Sequence, residues 1–182
     1  MSPSRPRPSE RSVVDATARH LEGEGYRVYV DLDGTDYFDL IARRGDEVGL
    51  VEAKVADRRT VLLQALKRRV WGTWGAVVLS SERAAERLAA ETSTGRASAL
   101  GVWACTSGTM RTLRVARPWV GPGVEDPYAT LRERFRRVLD AVDRGEMPTG
   151  VSWDGLVGEI RRASGGRKFA EWRLDEPAGP AP

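Results

Sequence analysis

Apolar residues recur at helical spacing over residues 12–24, where Val14, Ala18 and Leu21 share one face. Ser12 offers a cap for this helix and Gly25 a stop. The period then changes. Tyr26-Arg27-Val28-Tyr29-Val30 alternates as a strand does, and a polar loop over 31–36 follows. Two apolar stretches, 37–42 and 48–55, flank the charged turn Arg43-Arg44-Gly45-Asp46-Glu47, which is the pattern of a β-hairpin. A helix is predicted over 59–70, with Val61, Leu62, Ala65 and Leu66 apolar. Residues 75–79 form a short unbroken apolar run, as in a strand covered on both faces. Ser81 opens a second amphipathic helix (Ala85, Leu88, Ala89, Thr92) that ends near Gly95. Strands over 100–106 and 112–116 then turn at Ser107-Gly108. The predicted order is α-β-β-β-α-β-α-β-β, an α/β fold with a mixed sheet flanked by helices.

Residues 118–127 read as a linker, and Asp126-Pro127 as a helix start, a cap followed by proline at the first helical position. The stripe Tyr128, Leu131, Phe135, Val138, Val142 has amphipathic helical spacing, and docking on the core is the expected use of its apolar face. A short helix over 152–163 and a closing strand over 168–174 are expected beyond it. The organisation predicted is a disordered N-terminal tail (1–11), a folded domain (12–117), a linker and helical C-terminal extension (118–176) and a disordered tail (177–182).

Composition adds exclusions. No apolar run approaches the length of a membrane span, and no signal-peptide core follows the N-terminus, so a cytoplasmic protein is expected. With only His20 and Cys105, a zinc site, a histidine-based catalytic set and an intrachain disulfide are all disfavoured. The six tryptophans are expected mostly in the core, Trp71 and Trp74 at a helix-to-strand corner. A net charge of +3 is compatible with a polyanion partner without requiring one. Local basic clusters say more: Arg58-Arg59, Lys67-Arg68-Arg69, and Arg132, Arg134, Arg136, Arg137, each of which could equally be a solvated helix face.

The chemistry-bearing feature is Asp39, followed thirteen residues later by Glu52-Ala53-Lys54. Side chains alternate along a strand, so Glu52 and Lys54 share one face while Val51, Ala53 and Val55 take the other. With Asp39 across the hairpin, two carboxylates and an ammonium converge. Such a cluster can hold a divalent cation beside an attacking water, the equipment of metal-assisted phosphodiester hydrolysis. The plain alternative is a cross-strand surface ion pair, worth about 1 kcal/mol or less. Two facts weigh against it. The charges interrupt strands that are otherwise apolar. Only three of the 29 basic residues are lysine (Lys54, Lys67, Lys168), so a lysine here stands out against an arginine background. A lysine ammonium can give up its proton and the resulting amine can accept one, whereas a guanidinium is effectively always charged.

The order α-β-β-β-α-β, with an aspartate on the second strand and Glu-x-Lys on the third, resembles the PD-(D/E)XK nuclease superfamily, which includes Holliday junction resolvases and Mrr-type restriction enzymes. The resemblance covers roughly residues 12–80. It implies a restriction-endonuclease-like core with a mixed sheet flanked by helices, plus the C-terminal helical extension. It implies Mg2+ (or Mn2+) as cofactor, held by Asp39, Glu52 and the Ala53 carbonyl. Lys54 is implied to position or activate water, and Gln64 to lie beside the site. Asp15 or Glu10 could match the extra acidic ligand of resolvase-like members. Phe38 stands where the name motif has proline. DNA is the implied partner, with Arg58, Arg59, Lys67 and Arg68 engaging phosphates rather than bases. In the metal-free protein, Asp39 and Glu52 should repel each other and one pKa should rise.

A metal-dependent DNA nuclease is therefore the leading expectation. A catalytically silent domain of the same fold, serving as a nucleic-acid-binding or protein-interaction module, is the alternative. An RNA nuclease is a third reading, and a homodimer is compatible with cutting both strands of a duplex.

Overall fold

The structure, a computed structural model, describes residues 8–30 and 38–145. The first seven residues, the 31–36 loop, the helix expected over 152–163, the strand expected over 168–174 and the C-terminal tail lie outside the described residues. Six strands form one mixed sheet in the order β1-β2-β3-β4-β5-β6. They are β1 (Arg27–Val30), β2 (Leu40–Arg44), β3 (Glu47–Lys54), β4 (Trp74–Leu79), β5 (Gly101–Thr106) and β6 (Thr109–Arg114). The first three run antiparallel, β3, β4 and β5 are parallel to one another, and β6 returns antiparallel. The parallel steps need crossovers, which α2 (Arg58–Arg68) and α3 (Glu82–Glu91) supply.

Helix α1 (Glu10–Gly23) starts two residues before the predicted boundary. Ser9, not Ser12, is the cap. Its hydroxyl accepts from the Ser12 N–H at 3.1 Å while the Ser12 hydroxyl accepts from the Ser9 N–H, a reciprocal capping box. Residues 10 and 11, expected in a tail, are thereby helical. The hairpin turn is tighter than predicted: Gly45, at φ +58°, and Asp46 alone join β2 to β3. The other expected elements stand in the expected order.

Strand alternation divides the core in two. Leu40, Ala42, Val51, Ala53, Ala76 and Val78 face α1, whose Val13, Val14, Ala16 and Leu21 cover them. Gly49 is required on this face, because a Cβ there would run into the Trp74 indole on the neighbouring strand. The other face carries Val77, Leu79, Val102 and Ala104 under α2 and α3. It also carries Ile41, Val48 and Leu50 under α4 (Ala129–Asp143), where Phe135 and Leu139 are fully buried against Phe38 and Trp71. The described part of the C-terminal extension thus docks on the sheet. Trp71, Trp74 and Trp103 are all buried. No helix among the described residues is long and apolar enough to cross a membrane.

Candidate active site

The β2–β3 register pairs Leu40 with Val51, and one more step along it sets Asp39 opposite Glu52. Asp39 lies just before β2, where the ladder ends. Its Oδ2 accepts the Ala53 N–H at 2.7 Å, which pins the carboxylate across the hairpin. In an extended strand a residue's N–H and C=O point to the same edge, so the Ala53 carbonyl opens toward Asp39 as well. Glu52 is on the face under α2, in register with Val77 of β4, and is 1% exposed.

Arg68, in the last turn of α2, makes an ion pair with Glu52 Oε1, and its guanidinium lies 5.5 Å from the Phe38 ring centroid. Glu52 Oε2 is buried with no hydrogen-bond partner among the described residues. The same holds for Gln64 Oε1, one turn before Arg68 on α2. Two buried acceptors without donors are costly. They mark this end of the sheet as a place the fold alone does not satisfy.

Lys54 closes β3. Its Nζ reaches past the sheet end to Glu10, in the first turn of α1, at 2.5 Å. The acidic residue that α1 contributes is therefore Glu10. Asp15 does not join the cluster, because it pairs with Arg11 along the helix surface at 3.0 Å. A residue in the first turn can reach around the strand ends, whereas one a turn further along lies beside the sheet.

The electrostatics follow from burial. Desolvation pushes the Glu52 carboxyl up to about 8, with the Asp39 charge adding to the rise and Arg68 and Lys54 opposing it. Desolvation also raises Asp39, opposed by the Ala53 N–H, Lys54 and Arg68 and reinforced by Glu10. Both carboxylates thus rise, and the larger cause is loss of water rather than mutual repulsion. Burial works against the Lys54 ammonium, yet its bond to Glu10 and the Asp39, Glu10 and Glu52 charges outweigh that and raise its pKa. Lys54 is therefore a fixed cation at neutral pH, suited to orienting water and offsetting negative charge, not to accepting a proton.

No group of three or more His, Cys, Asp or Glu side chains arranged for a metal occurs among the described residues. The donor set here is smaller: two carboxylates and a backbone carbonyl. That set suits Mg2+, which keeps several of its waters and commonly uses one or two carboxylates plus phosphate. The unpartnered Glu52 oxygen is what such an ion would engage.

The basic residues expected to meet phosphates divide. Arg59 and Lys67 are exposed on α2. Arg58 is half-buried and bound to Glu91 of α3 at 2.5 Å. Arg68 is not on a solvated face; at 7% exposure it is a buried partner of Glu52. The signal was in the spacing, since Val61, Ala65 and Arg68 follow one another at helical intervals on the buried side. A cavity of about 340 Å³ lies at the far end of the sheet, among Tyr26, Arg44, Glu47, Trp74 and Trp103, and contains none of these site residues. Compared with protein-family models, with curated proteins and with solved structures, the chain matches none.

Proposed function

We propose that this chain is a Mg2+- or Mn2+-dependent nuclease of the PD-(D/E)XK type that hydrolyses phosphodiester bonds in DNA, in the cytoplasm. One observation carries the reading: Asp39, Glu52 and Lys54 gather at one strand end, where Asp39 and Lys54 both shift the ionisation of Glu52 and Lys54 also shifts that of Asp39. The antiparallel β1-β2-β3 followed by the parallel β3-α2-β4 unit supports a restriction-endonuclease-like core.

Asp39, Glu52 and the Ala53 carbonyl hold the cation. When bound, it neutralises phosphate charge and makes a coordinated water more acidic. Lys54 remains protonated, orients the attacking water and balances charge that builds on the phosphate; such a contact is typically worth about 10²–10³ in rate. Gln64 lies on the helix above the same face and can donate its amide to substrate or water. Arg59 and Lys67 provide phosphate contacts without base readout.

The burial of Glu52 and its pairing with Arg68 favour a second reading, a silent nucleic-acid-binding or protein-interaction module. Incubation with supercoiled plasmid, single-stranded DNA, branched DNA and RNA, in Mg2+, Mn2+ or EDTA, separates the two. Metal-dependent cutting lost in Glu52→Ala and Lys54→Ala selects the nuclease. Binding without cutting, unchanged in both variants, selects the module.

A further inference from the structure

Arg68 and a divalent cation would meet at one carboxylate, the guanidinium on Glu52 Oε1 and the cation on the unpartnered Oε2. The guanidinium sits in contact with Glu52 Oε1, the Phe38 ring lies 5.5 Å from it, and both partners are buried. The end of α2 that carries Arg68 is itself held, since Arg132 Nη2 of α4 donates to the Arg69 carbonyl at 3.0 Å. A guanidinium and a dication at one desolvated carboxylate repel strongly, because little water intervenes to screen them. Arg68 is also in the last turn of its helix, beside the exposed Lys67.

We propose that Arg68 is a resident counterion that competes with the catalytic metal for Glu52, so that the two occupy this carboxylate in alternation. This rests on the metal-binding reading above and deepens it. In the metal-free protein Arg68 keeps Glu52 aligned and its charge offset. A bound metal would displace the guanidinium toward the end of α2 beside the exposed Lys67, where phosphate could take it up. The apparent metal affinity is lowered by the fraction of molecules in which Glu52 is free of Arg68. The site consequently needs more metal to fill it, unless nucleic acid draws Arg68 away.

The test measures Mn2+ binding by electron paramagnetic resonance, at alkaline pH and without substrate, for wild type, Arg68→Met and Glu52→Gln. If Arg68 holds Glu52 about nine-tenths of the time, Arg68→Met binds Mn2+ about tenfold more tightly than wild type, and Glu52→Gln binds weakly. A second readout needs no variant: the arginine Nε–Hε resonance of Arg68 in wild-type protein should shift or broaden as Mg2+ is added. Equal or weaker Mn2+ affinity in a folded Arg68→Met, or an unmoved Arg68 resonance at saturating Mg2+, overturns the competition while leaving the metal site standing. Absence of Mn2+ binding in every protein overturns both.

Discussion

Two charged clusters on this sheet have opposite characters. At the β1–α4 edge, Arg43 pairs with Asp140 at 2.6 Å and Asp143 at 3.6 Å. Arg27 adds a bond to Asp143 at 3.1 Å, and the Tyr29 hydroxyl donates to Asp143 at 2.7 Å. These acids and bases face one another at a half-open surface, and the cluster fastens α4 across β1 and β2. Burial, with help from Asp143, moves the Tyr29 hydroxyl up to about 12, well out of the physiological range. At the β2–β3 end the charges are deeper and less matched. Glu52 is sealed under α2 with one oxygen unpartnered, and its carboxyl titrates near neutrality. A partly exposed network of paired charges stabilises position, even with Arg43 Nη1 left without a hydrogen bond among the described residues. A partly satisfied buried one costs stability, and sites that must accept a ligand are where such a cost is retained.

The comparison breaks first at activity. Asp39→Asn or Glu52→Gln should lower metal-dependent plasmid cleavage about 10³-fold or more, as expected when a metal ligand or a preorganised charge is lost. Asp140→Ala, in the other cluster, should leave the cleavage rate within about twofold, since it lies outside the site. Stability contrasts the two arginines. Arg68→Ala removes one member of a buried pair and should cost about 3–5 kcal/mol in chemical denaturation at alkaline pH, less in acid where Glu52 takes up a proton. Arg43→Ala loses partly buried pairs with Asp140 and Asp143, and should cost about 2 kcal/mol or less in all.

A smaller effect sharpens the contrast through pH. Burial pushes the folded-state Glu52 carboxyl up to about 8, against 4.5 for a solvated glutamate, so between those limits the folded state holds a proton that the unfolded chain releases. The associated stability is fully present below the unfolded pKa and is lost as pH rises through 8, with a slope of up to about 1.4 kcal/mol per pH unit. Unfolding of metal-free Glu52→Gln, which has no proton to lose there, should lack that slope. Tyr29, pushed up to about 12, should contribute none in the same window. The smallest effect is expected from Arg44→Ala, whose exposed bond to Glu47 at 3.0 Å should be worth a few tenths of a kcal/mol.

The order of elements could be read from the pattern, because helix gives way to strand sharply at Gly25 and near Gly75, and strand to helix at Ser81. The hairpin followed from the apolar runs around its charged turn, whereas the placing of Asp39 opposite Glu52 depended on the register seen in the structure. What could not be read was tertiary. Arg68 sits within the run Lys67-Arg68-Arg69, and charge composition assigns all three to solvent, while the helical phase set by Val61 and Ala65 turns only Arg68 inward. The choice of Glu10 over Asp15 depended on where α1 starts, and Ser9 moved that start by two residues. The size of the Glu52 shift also escaped the sequence. It depends on how completely α2 covers the strand, which a one-dimensional pattern does not specify.

The central claim, that this strand end performs metal-dependent hydrolysis, is tested most directly by Glu52→Gln. Nicking of supercoiled plasmid in Mg2+ should be followed beside thermal unfolding of the same preparation. The account predicts a folded protein, with a melting temperature at neutral pH close to that of wild type, that no longer nicks DNA. Nicking that survives the substitution at the wild-type rate would contradict it.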